Sequence, residues 1–188
     1  MFISLEGNNK TEKLYIVSLN KDHGAKFALQ FTTGRDTDMM NMWKALCNLM
    51  AEGFSTIDGD KAFCLCDQDY EPYKIDRIRT IKQEIGLGTA KLIVSNPCFE
   101  IWFLNHFQYS TREFQSNREL IGDLRDYIPC FEKNTDYYHL HLKSRTANAI
   151  NNSLRQLKLV NENNQLSDVI VRNPGTEVAE IVQTIIGG

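Results

Sequence analysis

The stretch Phe63-Cys64-Leu65-Cys66-Asp67-Gln68-Asp69 constrains this chain most. An apolar run of this length between turn signals suits a strand covered on both faces, as in a parallel sheet. Two carboxylates follow at once, one residue apart. In parallel sheets ligands gather beyond the carboxyl ends of the strands. Side chains two residues apart in extended chain point the same way, so Asp67 and Asp69 are expected to converge at the sheet rim. Like charges that close raise the pKa of one of the pair unless a cation sits between them. A short all-oxygen pair suits Mg²⁺. The alternative is a polar turn ending a strand, since Asp is common in turns.

The rest of the chain alternates strand and helix signals. Strands are expected at 2–5, 26–31, 62–66 and 90–94. Between them, Thr11 to about Lys21 has a helical apolar face with Leu14, Tyr15 and Leu19. Asp36 or Thr37 can cap a helix running to about Glu52, and Glu71 to Ile85 reads as another, stopped by Gly86. This alternation argues for a parallel sheet with crossover helices on its faces. Glu6 to Lys10 reads as a turn. Ser95 or Asn96 can cap a further helix, with Pro97 at its first position and an apolar run from Cys98 to Phe107. After residue 110 the strand signal stops. Helices are expected over Thr111–Tyr127, Thr146–Leu159 and, after a turn at Asn173-Pro174-Gly175, over Thr176–Ile186. The reading is an α/β core over residues 1–110, with a helical part over 111–188 packed on it in one compact domain.

Composition narrows the function classes. A net charge of −3 over 188 residues excludes a chain that coats nucleic acid by bulk charge. Any nucleic-acid site must be a local basic surface or rely on metal ions. Lys133, Lys143, Arg145, Arg155 and Lys158 form a candidate strip, with solvated helix charges as the alternative. The five cysteines are odd in number and form no CxxC pair, which fits reduced thiols in a cytoplasmic protein rather than disulfides or a zinc site. No signal peptide and no membrane span is expected. His139 and His141 form an HxH pair, with His106 elsewhere, but no clear third ligand accompanies them. Gly86-Leu87-Gly88 lacks the P-loop pattern, so no ATPase activity is expected of this chain.

Glu6 stands to the first strand as Asp67 stands to the third: each is the first charged residue after an apolar run. If those strands are parallel neighbours, three carboxylates meet at one rim. That set is a better cation site than the DxD alone.

Four stretches carry a family resemblance. They are Ile3-Ser4-Leu5-Glu6-Gly7-Asn8-Asn9-Lys10-Thr11-Glu12, Cys66-Asp67-Gln68-Asp69, the block Ser95-Asn96-Pro97-Cys98-Phe99-Glu100-Ile101-Trp102-Phe103-Leu104-Asn105-His106-Phe107, and Asn173-Pro174-Gly175-Thr176. Together they resemble the RloB-like family of the Toprim superfamily, and the block from Ser95 is the specific part. The resemblance implies a Toprim fold, a small parallel sheet flanked by helices with a Glu and two Asp around Mg²⁺ or Mn²⁺. By position these are Glu6, Asp67 and Asp69. It offers Glu12 and Glu100 as further carboxylates for a second metal. In the first loop the chain departs from OLD-type nucleases, carrying Lys10 where those place a second acid. The resemblance also implies a defence- or restriction-associated nuclease acting on DNA or RNA such as tRNA, beside an ABC-type ATPase. Ser95 and Asn96 are candidates to hold a substrate phosphate, and Lys143 or Arg145 to stabilise its charge. The alternative class is a non-catalytic Toprim module that senses or binds a partner.

Overall fold

The computed structural model describes residues 1–6, 10–33, 37–86, 88–163 and 171–188. The expected turn residues 7–9, the candidate cap Asp36 and Leu87 lie outside the described residues. Five strands form one sheet: β1 (Phe2–Ser4), β2 (Gln30–Phe31), β3 (Ala62–Asp67), β4 (Ala90–Asn96) and β5 (Gly175–Thr176). Their order is β2-β1-β3-β4-β5. The first three pairings are parallel, and β5 alone runs antiparallel, on β4.

The order reverses between β1 and β3. The chain leaves β1 through helix α1 (Thr11–Asp22), adds β2 on one side, then crosses back through α2 (Met39–Ala51) to β3 on the other. Crossovers in opposite directions put their helices on opposite faces. Accordingly, Ile3, Phe63, Leu65 and Ile93 pack with Tyr15, Ile16 and Leu19 of α1 on one face. Phe2, Cys64, Cys66, Leu92 and Val94 pack with Met39, Met42, Trp43 and Leu46 of α2 on the other. Alternate residues of β3 thus enter different cores, which is why its sequence is apolar without interruption.

α3 (Pro72–Ile85) joins the second face through Ile78 and Ile81. α2 begins where Asp38 accepts hydrogen bonds from the Met40 and Asn41 amides, one residue past the expected Thr37. Gly86 ends α3 at a φ of +52°, in the left-handed region that glycine tolerates.

The segment after β4 differs from expectation. Ser95 and Asn96 are the last residues of β4, and the Asn96–Pro97 peptide is cis. Pro97 does not open a helix, since the next one begins at Glu100. α4 spans only Glu100–Leu104, with Phe99 at its cap position. The expected helix over Thr111–Tyr127 is confined to α5 (Asn117–Arg125), capped by the Ser116 hydroxyl. A π-helical turn (Tyr138–Leu142) and a 3₁₀ turn (Lys143–Arg145) lead into α6 (Thr146–Asn163), and α7 (Ala179–Gly187) closes the chain. Strand β5 lies in the half expected to be helical. Residues Ile181, Val182 and Ile185 of α7 pack into the same core as α1. No helix among the described residues is long and apolar enough to cross a membrane.

Candidate functional site: an acidic rim with a built-in cation

The crevice of an open α/β sheet lies where the strand order reverses, beyond the carboxyl ends. Here that is the end of β1 and β3. Glu6 follows β1 and Asp67 ends β3, so the topology brings both acids to one crevice. They are tied directly: Glu6 Oε2 accepts a hydrogen bond from the Asp67 amide at 3.0 Å.

Asp69 reaches the same crevice by a different route than expected. The chain is not extended through it, because Asp69 sits in the left-handed region with φ of +50°. Asp tolerates that conformation better than most residues. The turn is held against the neighbouring strand and loop. The Gln68 amide donates to the Ser95 carbonyl at 2.8 Å, and the Asp69 amide donates to the Pro97 carbonyl at 2.9 Å.

A lysine fills the centre of the rim. Lys74, in the first turn of α3, donates to Asp69 Oδ2 at 2.6 Å, to the Asp67 carbonyl at 2.9 Å and to Glu6 Oε1 at 3.2 Å. Its side chain is 7% exposed. Burial alone would lower the pKa of this ammonium, but the hydrogen bond to Asp69 and the charge of Glu6 reverse the effect and hold it protonated. On its other oxygen, Asp69 Oδ1 accepts from Asn117 Nδ2 at 3.3 Å.

Behind the rim lie two more acids. Glu12, in the first turn of α1, and Glu100, first in α4, are both buried. Lys133 Nζ stands 3.0 Å from Glu100 Oε1. Burial lowers the Lys133 pKa and Glu100 more than restores it. Burial pushes the Glu12 carboxyl up to about 8, with Glu100 and Glu6 adding to the effect and Lys133 opposing it. Asp67 retains some solvent contact as a residue. Partial burial, with Glu12, Glu100, Glu6 and Asp69 around it, raises the pKa of its carboxyl above the ordinary carboxylate range. Five carboxylates thus act on one another across this edge, with two lysines between them.

The other expected site residues lie apart from this cluster or are engaged internally. Ser95 Oγ is 2.8 Å from Thr176 Oγ1, and Asn96 Nδ2 donates to the Val171 carbonyl at 2.7 Å. Both are buried, and the helix that was to present them begins only at Glu100. Lys143 pairs with Asp22, in the last turn of α1. Glu12 is in the first turn, so the two sites are separated by about 15 Å of helix. The Arg145 guanidinium lies 5.3 Å from the Phe107 ring centroid, and that of Arg155 lies 3.7 Å from the centroid of Tyr109. Of the candidate basic strip, Lys133 alone turns into the acidic cluster.

His139 and His141 fall in the π-helical turn, and His106 is buried with Nδ1 2.9 Å from the Trp102 carbonyl. Among the described residues no three His, Cys, Asp or Glu side chains stand ready to hold a metal ion together. All five cysteines are free thiols.

Lys74 and Asn117 were not singled out from the sequence, and Lys133 was read only as part of a basic strip for a nucleic-acid backbone. For Lys74 one signal existed. A lysine at the start of a helix sits at the positive end of the macrodipole, so burial there requires anionic neighbours. The DxD, five and seven residues earlier, supplies them.

Fold and rim together define a mixed α/β protein whose carboxylates and lysines converge where a mostly parallel sheet reverses strand order. The family model for RloB-like protein matches residues 1–185, and the chain belongs to that family. No curated protein and no solved structure matches it.

Proposed function

We propose that this chain is a metal-dependent nuclease of Toprim type, hydrolysing phosphodiester bonds in DNA or RNA, in a defence or restriction-associated setting with an ABC-type ATPase partner. The observation that carries the reading is that Glu6, Asp67 and Asp69 lie at the reversal of strand order, where Glu6 accepts from the Asp67 amide and shares the Lys74 ammonium with Asp69. The donor set suits a hard divalent cation: every candidate ligand atom is an oxygen, and the acids already gather around a positive charge, the Lys74 ammonium. Glu6, Asp67 and Asp69 are the residues that would hold Mg²⁺ or Mn²⁺, with Glu12 and Glu100 behind them for a second ion. A bound cation would stabilise charge on the attacking and leaving oxygens of an in-line displacement.

The test is cleavage of plasmid, single-stranded DNA and total tRNA with Mg²⁺ or Mn²⁺, with and without the ATPase. EDTA should stop it, and Asp67→Ala should lower it by at least about a hundredfold while the circular dichroism spectrum is retained. Undiminished cleavage in Asp67→Ala would refute the assignment. One observation favours a second reading, a non-catalytic Toprim module for a partner or nucleic acid: Lys74 already neutralises part of the rim without metal. Metal binding with no cleavage of any substrate, even with the partner present, would select that reading.

A further inference from the structure

We propose that Lys74 is the protein's own counter-ion for the acidic rim and competes with the divalent cation for it, so that metal entry requires displacement of the ammonium. The inference rests on the metal reading of the rim given above and adds what regulates it. An ammonium has three hydrogens to donate. Lys74 directs them at three oxygens, Asp69 Oδ2, the Asp67 carbonyl and Glu6 Oε1, at 2.6, 2.9 and 3.2 Å. Two of the three are carboxylate oxygens that would ligate the metal.

The two occupants exclude each other on both size and charge. A Mg²⁺ ion sits about 2.0–2.1 Å from its oxygens, which draws them inward over the volume that Nζ fills. A dication and an ammonium within about 4 Å repel strongly at a half-buried site. The start of a helix is unfavourable for a cation, and the Lys74 side chain is only 7% exposed, so it is the anionic rim that holds the lysine there. The flexible four-carbon stem gives the ammonium a way out to solvent, which an arginine fork in the same place would use less readily.

The experiment measures Mn²⁺ affinity by calorimetry and electron paramagnetic resonance, with thermal unfolding of the metal-free and metal-loaded proteins alongside. The proteins are wild type, Lys74→Gln, Lys74→Arg and the Asp67→Ala/Asp69→Ala double variant. Lys74→Gln keeps hydrogen-bonding groups at the site and removes the charge. It is expected to bind Mn²⁺ at least about tenfold more tightly than wild type. Its metal-free form should melt at lower temperature, because the acids lose their counter-ion, and Mn²⁺ should raise its melting temperature more than that of wild type. Lys74→Arg keeps the charge and grips both carboxylates, so it should bind Mn²⁺ more weakly than wild type. That arm stands even if Lys74→Gln fails to fold.

If wild type binds Mn²⁺ in a manner that depends on Asp67 and Asp69, but Lys74→Gln binds no more tightly or Lys74→Arg no more weakly, the competition is overturned and the metal reading stands. If no protein shows binding that depends on Asp67 and Asp69, both fall together.

Discussion

His106 shows how much of this protein's chemistry is decided by burial at single positions. A carbonyl oxygen only accepts hydrogen bonds, so His106 Nδ1, 2.9 Å from the Trp102 carbonyl, carries the ring proton. Burial lowers the pKa of this imidazole from 6.5 to about 4. The sign follows from which state takes the proton. As pH falls below about 6.5 the unfolded chain protonates His106 and the folded protein does not, so this residue makes folding progressively less favourable down to pH 4. Below that both states are protonated and the contribution levels off. The full span is about 3 kcal/mol. His106→Asn can keep a donor to the Trp102 carbonyl without the titration. Urea unfolding of both proteins between pH 7 and about 4 should therefore give a steeper loss of stability for wild type. Parallel curves would show that His106 does not titrate as burial requires. The same contrast governs what was legible residue by residue. Glu6, Asp67 and Asp69 stand out in the sequence because each follows an apolar run at a strand end. Lys74 does not, and Lys133 stands out only as one of a basic strip and not as the partner of Glu100, because a long side chain finds its partner by reach rather than by spacing. The Asp69 contact forms through a left-handed backbone, not the extended one that the DxD spacing suggested.

At the scale of elements, the strong signals were the long ones. The three parallel strands that position the rim and the helices between them follow from apolar runs and capping residues. The misread segments are those whose structure comes from contacts distant in sequence. β4 extends through Asn96 because a two-residue strand, β5, pairs with Ser95 and Asn96 from the far end of the chain. No local pattern could have shown Gly175–Thr176 to be a strand. Its hold on the sheet is dense: Thr176 Oγ1 meets Ser95 Oγ, Ser153 donates to the Thr176 carbonyl, and the Glu177 carboxylate accepts from the Val94 amide. Gly175 is required there by space. A methyl group on it would stand 2.8 Å from the Arg172 carbonyl oxygen and 2.9 Å from a Val171 methyl. Backbone does not give way as a side-chain end does, so Gly175→Ala should destabilise the protein by about 1–3 kcal/mol, read from the midpoint of urea unfolding. An unchanged midpoint would mean that β5 is not a tight element of the sheet.

Among the described residues the sheet separates two large apolar cores, each holding one of the two tryptophans, and a smaller third cluster gathers Cys98, Ile101, Leu104, Phe114 and Leu120. Trp43 lies with α2 and α3 on one face, its indole donating to Glu84 at 2.7 Å. Trp102 is fully buried on the other face beside Tyr15 and His106. The strands between them cannot lose one face and keep the other intact, since alternate residues of β1, β3 and β4 belong to each. The chain beyond residue 110 also adds to the sheet, through β5, and to the Trp102 core, through Phe131, Tyr138 and α7. A division near residue 110 is therefore one of sequence signal and not of packing. These features predict one cooperative unfolding transition. The single-tryptophan variants Trp43→Phe and Trp102→Phe leave one reporter each, and each should lose its fluorescence at the same urea concentration at which that variant loses its helical circular dichroism. Trp102→Phe removes atoms from a filled core and should unfold about 1–3 kcal/mol earlier than Trp43→Phe, so the comparison is made within each variant. A residue 1–110 fragment, with the sheet edge and half of one core uncovered, should remain insoluble or unfolded. Fluorescence and circular dichroism midpoints that separate within a variant, or a 1–110 fragment with a cooperative transition of its own, would show that the two halves fold independently.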